Sequence, residues 1–255
     1  MDNRDIWLAA TLVELAETAD ADCGEAAYTE LVAVSVAELV APAEVGILLA
    51  GASGSMTVAA SSTGRARDLA WFEEAHREGP GIDCGASGEQ VLNERIANAA
   101  ARWPGFAPAA AAAGFAISSA FPMRRRAQTI GAISVLAPGS LLTVADAGRV
   151  QAIARAAAIA IAQQREFRQS VLAAAQLQHA LDSRVIIEQA KGAVAARLGI
   201  TPEAAFVVLR DYARSESRPL LRVAEQTISG DLTLGKLVAP RRGRPAHRVS
   251  ADQSR

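Results

Sequence analysis

The chain has 255 residues, 51% hydrophobic and 21% charged, a balance that supports a buried core and excludes disorder throughout. Its formal net charge of -1 conceals a division: residues 1–178 hold 13 Lys+Arg against 19 Asp+Glu, whereas residues 179–255 hold 13 against 8. An acidic body with a basic end fits a C-terminal part that meets a polyanion, and fits a merely solubilising tail as well.

The opening MDNRDIWLAATLVELAE is acidic where a secretory leader is basic, and the most apolar run, residues 31–52, is interrupted by Glu38, Pro42 and Glu44. A cytoplasmic protein without a membrane span is the expectation. Cys23 and Cys84 lie far apart and outside any CxxC or Cys/His ligand spacing, so neither a disulfide framework nor a zinc site is indicated.

Apolar residues at helical spacing predict a first helix over 5–18 and a second over 26–39. After Pro42 the runs EVGILLAG and SMTVAASST, separated by a Gly/Ser turn, predict a hairpin. A helix over 67–78 follows, then GPGIDCGASG, which reads as a glycine-rich loop, and a helix-and-loop excursion containing RWPGFAPAAAAAG. FAISSAFPM and TIGAISVLAP predict a second hairpin with Arg124, Arg125 and Arg126 at its turn. Two hairpins with helices before and between them make an α+β domain built on an antiparallel sheet.

Residues 149–191 contain neither Gly nor Pro. With Val150 as position a of a heptad, Ala157, Gln164, Val171, Gln178 and Val185 continue the a series, and Ile153, Ala160, Phe167, Ala174, Leu181 and Glu188 form the d series. This pattern fits an alanine-rich, dimeric coiled coil on one continuous helix; a domain helix that breaks near Gln164, followed by a separate helix, fits as well. Beyond it stand three short helices. Ser183–Leu198 stops at Gly199, Thr201 and Pro202 open the second, and Ser217 is placed to cap the third, whose Leu220, Val223, Ala224, Thr227 and Ile228 turn inward. The last stretch, 236–255, is basic, rich in Pro, Gly and Arg, and expected to be disordered.

The order SRVIIEQAKG, the AF at 205–206, the LR at 209–210, YAR at 212–214 and the VA at 223–224 resembles the ANTAR domain, a three-helix RNA-binding output module. Upstream, GPGIDC, RWPGFAPAA, AGF and FPMRRRAQTIGAISVL are similar to the GAF domains that precede ANTAR units in actinobacterial proteins. The resemblance implies a GAF-like sensor over 1–162, a helical coiled-coil linker over 163–178, an ANTAR domain over 179–235 and a tail over 236–255. It further implies a homodimer that binds tandem hairpin loops in nascent RNA, promotes transcription antitermination and works beside the transcription machinery. Where relatives carry Asn before the third helix, and then a basic residue, this chain has Ser217 and Pro219. Where they read GPC it has Gly79, Pro80 and Gly81.

Loop bases suit protein readout because they are splayed from the stack. The candidate RNA contacts are Arg184, Lys191, Gly192, Arg197, Arg210, Arg214, Arg218 and Arg222. Arginine grips phosphate or base edges bidentately, and lysine acts as a compact point charge. Gly192, mid-helix at a cost of about 1 kcal/mol against alanine, serves either close approach of an RNA loop or packing of a neighbouring helix. Arg184 has Glu188 four residues on as an alternative partner. For the sensor, Trp71, Phe72, Cys84, Trp103, Phe115 and Phe121 are candidate lining residues for an unknown small molecule; as core residues they need no ligand.

No receiver-type acidic set, haem-attachment CxxCH or bilin-attachment case is present, and no cofactor is expected. His76, His179 and His247 fall in a helix, a linker and a tail, with no nucleophile grouping, so no enzyme is expected. Two other readings remain at this level: a DNA-binding regulator with a GAF sensor, since three short basic helices also describe a helix-turn-helix, and a dimeric interaction module that binds no RNA.

Overall fold

A computed structural model describes residues 3–19, 23–51, 54–232 and 235. The basic tail and Lys236 fall outside them. The chain divides into two compact units, residues 1–170 and 171–255.

The first unit is built on a five-stranded antiparallel sheet in the order β2-β1-β5-β4-β3. Its strands are β1 Glu44–Ala50, β2 Met56–Ser61, β3 Val91–Arg95, β4 Ile117–Arg125 and β5 Gln128–Ala137. Alternation along the strands sorts side chains onto two faces. Val45, Ile47, Leu49, Phe121, Met123, Ile133 and Val135 meet α1 (Asn3–Thr18), α2 (Glu25–Val40) and the start of α6 (Val144–Leu198). Leu48, Ala120, Ala132 and Leu136 face the other way, toward α3 (Gly64–His76), α4 (Pro80–Ser87), a 3-10 turn at Ile96–Ala101 and α5 (Phe106–Ala112).

GPGIDCGASG is helical rather than a loop. Pro80 occupies the first turn of α4, where a missing amide costs nothing, and Gly88 closes it at φ 68. The glycines admit the helix to the sheet: a β-carbon on Gly81 would come within 2.7 Å of Ser134 Oγ and 3.0 Å of Leu48 Cδ1. β3, unexpected from the sequence, is short and irregular, its ladder interrupted between Val91 and Glu94 where Asn93 adopts φ 54. It pairs with β4 only as far as Ala120. Beyond that point Pro122 sits in β4 opposite Ala132 of β5, and Gln151 Nε2 donates to its carbonyl at 3.0 Å.

Helix α6 runs unbroken through Gln164. Thr143 caps it, its hydroxyl accepting from the Asp146 amide at 3.1 Å, and Asp146 in turn receives Arg4 and Arg149 at 2.7 and 2.9 Å. The expected heptad seam does not begin where the periodicity placed it. Val150, Ile153, Ala157 and Ala160 belong to the core of the first unit, packed with α1, α2 and the sheet. Gln164 is buried there too, donating to the carbonyls of Ala19 and Cys23 at 3.2 and 3.4 Å. Every residue from 166 to 182 is exposed, including Phe167, Val171, Leu172, Leu177 and Leu181.

The second unit packs the end of α6 with α7 (Pro202–Ser215) and α8 (Leu220–Ser229) around Ala190, Val194, Ala205, Leu209, Ala213, Val223 and Ala224. Thr201 caps α7, accepting from Ala204 N at 3.3 Å. Ser217 does not cap α8. It ends α7 instead, at φ 52, with its own amide donating to Arg214 O at 3.2 Å and the Arg218 amide to Ala213 O at 2.8 Å. That is the paired reverse bonding of a Schellman stop, with serine in the left-handed position that usually takes glycine. Pro219 stands at the N-cap of α8 without a side-chain bond, and Ile228, expected inward, is exposed.

Candidate nucleic-acid interface

In the second unit the apolar stripes leave one flank of α6 beside one flank of α7. Lys191 Nζ lies 5.7 Å from the centroid of the Phe206 ring and is held by both oxygens of Glu188 at 2.9 and 3.0 Å. The Glu203 carboxyl is kept below its usual range by its own backbone amide and the Thr201 hydroxyl, with the Lys191 charge adding to them. Arg210 and Arg214 follow Phe206 at four-residue steps, so they continue the same side of α7. The contact with Phe206 therefore gathers Lys191, Arg210 and Arg214 onto one side of this unit.

The eight candidates differ in how they are held. Arg184, Arg197 and Arg214 are exposed, Arg218 is half-buried, and none of their side chains has an ion-pair or hydrogen-bond partner among the described residues. Arg222 Nη1 is tied to Glu225 at 3.1 Å, and Arg210 Nε lies 3.7 Å from Asp211 Oδ1. Glu188 takes Lys191, not Arg184, so the pair that spacing offered to Arg184 is not formed. Arg197 is turned about 120° around α6 from Lys191, because six residues of helix separate them.

Gly192 is exposed, and a β-carbon there would meet nothing within 4 Å. Packing within the unit does not explain this glycine. Phe206 is the contributor that reading for cationic residues passed over, and Glu188, read as a partner for Arg184, holds Lys191 instead. An aromatic at the border of a helix stripe, close to the lone lysine of the module, was the available signal.

In the first unit the six candidate lining residues do not enclose one cavity. Cys84, Trp103 and Phe115 are buried between the sheet and α3, α4 and α5. Phe72 is half-buried at the edge of that core, stacked on His76 with ring centroids 4.0 Å apart. Phe121 belongs to the opposite face of the sheet, because odd-numbered positions of β4 point toward α1, α2 and α6. Trp71 is exposed on α3 with Arg67 5.2 Å over its ring.

Glu73 is the unpredicted occupant of this core. It is buried, accepts from the Gly81 amide at 2.6 Å and lies 3.4 Å from Ser134 Oγ. Burial pushes its carboxyl up to about 8, although the amides of Gly81 and Ile82 and the Ser134 hydroxyl oppose the rise. Burial first, and then the nearby Glu73 and Asp83, push the Cys84 thiol up to about 12, so it carries little thiolate at neutral pH. One cavity beside this core, of about 700 Å³, has walls that include Asp83, Ser87, Gln90, Glu94 and Arg102. Asp83 is anchored there by Arg102 Nε at 2.7 Å and Trp103 Nε1 at 3.0 Å.

Residues 175–228 match the ANTAR domain model. No curated protein matches the chain. Among solved structures, the GAF domain of an Acinetobacter phosphoenolpyruvate-protein phosphotransferase is 13% identical with a TM-score of 0.50, covering 65% of this chain and 97% of its own. The phycoerythrobilin-bound GAF domain of a cyanobacterial phytochrome is 14% identical over 63% of this chain and 97% of its own, at a TM-score of 0.47. A GAF domain/HD domain protein from Geobacter sulfurreducens is 15% identical over 59% and 97%, at 0.45. Such identities speak to fold and not to ligand. Among the described residues no single helix is long and apolar enough to cross a membrane. The chain therefore joins a GAF-like fold to an ANTAR domain at residues 175–228.

Proposed function

We propose that the protein is a cytoplasmic, homodimeric regulator that binds paired hairpin loops in nascent RNA and promotes transcription antitermination in response to a signal at its GAF-like domain. The ANTAR match carries this reading, since proteins of that family are RNA-binding antitermination regulators. The surface around Lys191 supports it: unpaired arginines are ready to exchange counterions for phosphates, and bare backbone at Gly192 lets a loop approach. The regulator performs no catalytic step of its own. A signal at the sensor acts through α6, whose exposed apolar positions give two copies a weak seam with alternative packings of similar energy.

Gel shifts of the full chain with a two-hairpin RNA, each hairpin singly and a matched DNA duplex test the reading. Tight binding is expected for the two-hairpin RNA alone. Equal affinity for the duplex would overturn it in favour of a DNA-binding regulator, and binding to none would leave a dimeric interaction module. Crosslinking two copies through cysteines introduced at position 167 tests the coupling, which predicts a changed RNA affinity when the helices are locked.

A further inference from the structure

On the α6 side of the sheet, away from the core that holds Cys84 and Trp103, a cavity of about 490 Å³ lies between α6 and the ends of β1, β4 and β5. Helical spacing sets Ala162, Arg165, Glu166 and Gln169 along one flank of α6, and the sheet contributes Arg125 and Gln128 across from them. Ala162 and the neighbouring Ile130 give the cavity buried apolar walls. Its volume falls within the usual span of small-molecule sites, about 300–1,000 Å³.

The three charged side chains that line it are held in different ways. Arg165 is saturated: Glu25 accepts from its Nε and Nη2 at 2.8 and 2.9 Å, and Nη1 donates to Ala50 O at 2.8 Å. Its charge is thus matched from outside the cavity. Arg125 and Glu166 are joined more sparingly, by one bond from Nη1 to Oε1. The remaining N–H groups of the Arg125 fork, and Glu166 Oε2, have no partner among the described residues. The carboxamides of Gln128 and Gln169 have none either.

Because Arg125 and Glu166 already touch, the unused donors and the unused acceptor stand side by side. An anion alone is drawn to Arg125 but repelled by Glu166, and a cation alone meets the reverse. A compact zwitterion, with carboxylate and ammonium on one carbon, pairs with both groups and leaves neither charge unmatched. We infer that this cavity binds a free α-amino acid with an uncharged polar side chain, its carboxylate on Arg125, its ammonium on Glu166 and its side chain toward Gln128 and Gln169. The Arg125–Glu166 pair is also the last side-chain bond, among the described residues, from α6 back to the sheet, and every residue from 166 to 182 is exposed. An amino acid seated on this pair therefore bears on the point where α6 leaves the sheet. The site stands apart from RNA; only its role as the entry of the signal rests on the function proposed above.

Calorimetric titration of the full chain with L-serine, L-threonine, L-asparagine and L-glutamine tests the site. At least one is expected to bind and to raise the melting temperature. Its N-acetyl form, which lacks the ammonium, and its α-amide, which lacks the carboxylate, should bind about tenfold more weakly or worse. Arg125→Gln and Glu166→Gln should each weaken binding by a similar factor and melt close to the wild type, since the pair they break is partly exposed. Gln90→Leu, in the wall of the cavity on the other face of the sheet, should leave affinity unchanged. Binding of none of these amino acids would overturn the site. So would equal binding of the N-acetyl form, which marks a plain anion site, or binding lost in Gln90→Leu and kept in Arg125→Gln. An amino acid that binds without altering affinity for the two-hairpin RNA would overturn its role as the signal. A protein that ignores that RNA altogether sinks the proposed function and leaves the titrations to decide the site.

Discussion

Lys191 places its ammonium 5.7 Å from the centre of the Phe206 ring, joining two helices through a cation and an aromatic face. The ring fixes where the positive charge stands without neutralising it, and the carboxylate that pairs with it, Glu188, is exposed. Lys191→Ala is expected to cost the C-terminal unit about 1 kcal/mol, the sum of a partly exposed cation–π contact and a surface ion pair. It should also lower the slope of log K against log salt by about 1, as the loss of one phosphate contact does. A thermal melt and a salt titration of RNA binding check the two parts separately. An unchanged slope would remove Lys191 from the interface.

Gly192 separates stability from binding. A β-carbon at that position meets open space, so Gly192→Ala should stabilise the C-terminal unit by about 1 kcal/mol. Gly192→Leu should leave the helix intact and weaken RNA binding at least tenfold, since a branched side chain keeps the loop from the backbone. Circular dichroism and gel shifts of both variants are the measurement. Undiminished affinity in Gly192→Leu would show that nothing comes close there.

Glu73 makes stability depend on pH in an unusual direction. Its folded value of about 8 lies above the ordinary 4.5, so the folded protein binds a proton that the unfolded chain releases between those limits. The stabilisation is complete below pH 4.5 and is lost as pH rises through 8. Glu73→Gln keeps an oxygen for the Gly81 amide and has no charge to bury, so it should flatten this dependence. The variant is expected to be more stable than the wild type at pH 9, by several kcal/mol as an order of magnitude. Urea unfolding followed across pH 5 to 9 would show it, and parallel curves for the two proteins would refute it.

The exposed a and d positions of α6 predict the assembly. Leu181 and Val185 are more than half exposed on a helix that is otherwise rich in alanine. Leu181→Asp should convert a dimer to a monomer in sedimentation velocity. Affinity for the two-hairpin RNA should then fall about a hundredfold toward that for one hairpin, the usual loss when paired binding becomes single. A wild-type protein that sediments as a monomer at micromolar concentration would remove the basis for the seam.

Much of this fold is legible in the residues because its main elements carry strong local periodicity. The two hairpins, α1, α2 and α7 lie close to where alternation and helical spacing put them. The failures have a shared origin in distant partners. GPGIDCGASG looks like a loop until Glu73 arrives from another helix to accept the Gly81 amide and the sheet presents Ser134 and Leu48 to Gly81, which has no β-carbon. The heptad pattern is real from Val150 onward, but a buried stripe has the same spacing whether it faces a second copy or the chain's own sheet. Gln164 resembled a flaw in a coiled coil because the carbonyls that satisfy it come from residues 19 and 23. The cationic residues of the ANTAR unit were readable, whereas the ring under Lys191 was not, since spacing within one helix carries no record of what the next helix presents.

Pro122 governs what can happen at one margin of the sheet. Past the end of β3 the outer side of β4 has no neighbouring strand among the described residues, and bare margins of this kind recruit extended segments of other molecules. Proline has no amide hydrogen to give an incoming strand, and Gln151 already occupies its carbonyl. A foreign strand laid along this border would gain nothing at that residue. The protein is thereby guarded at this border against strand-to-strand pairing with other molecules.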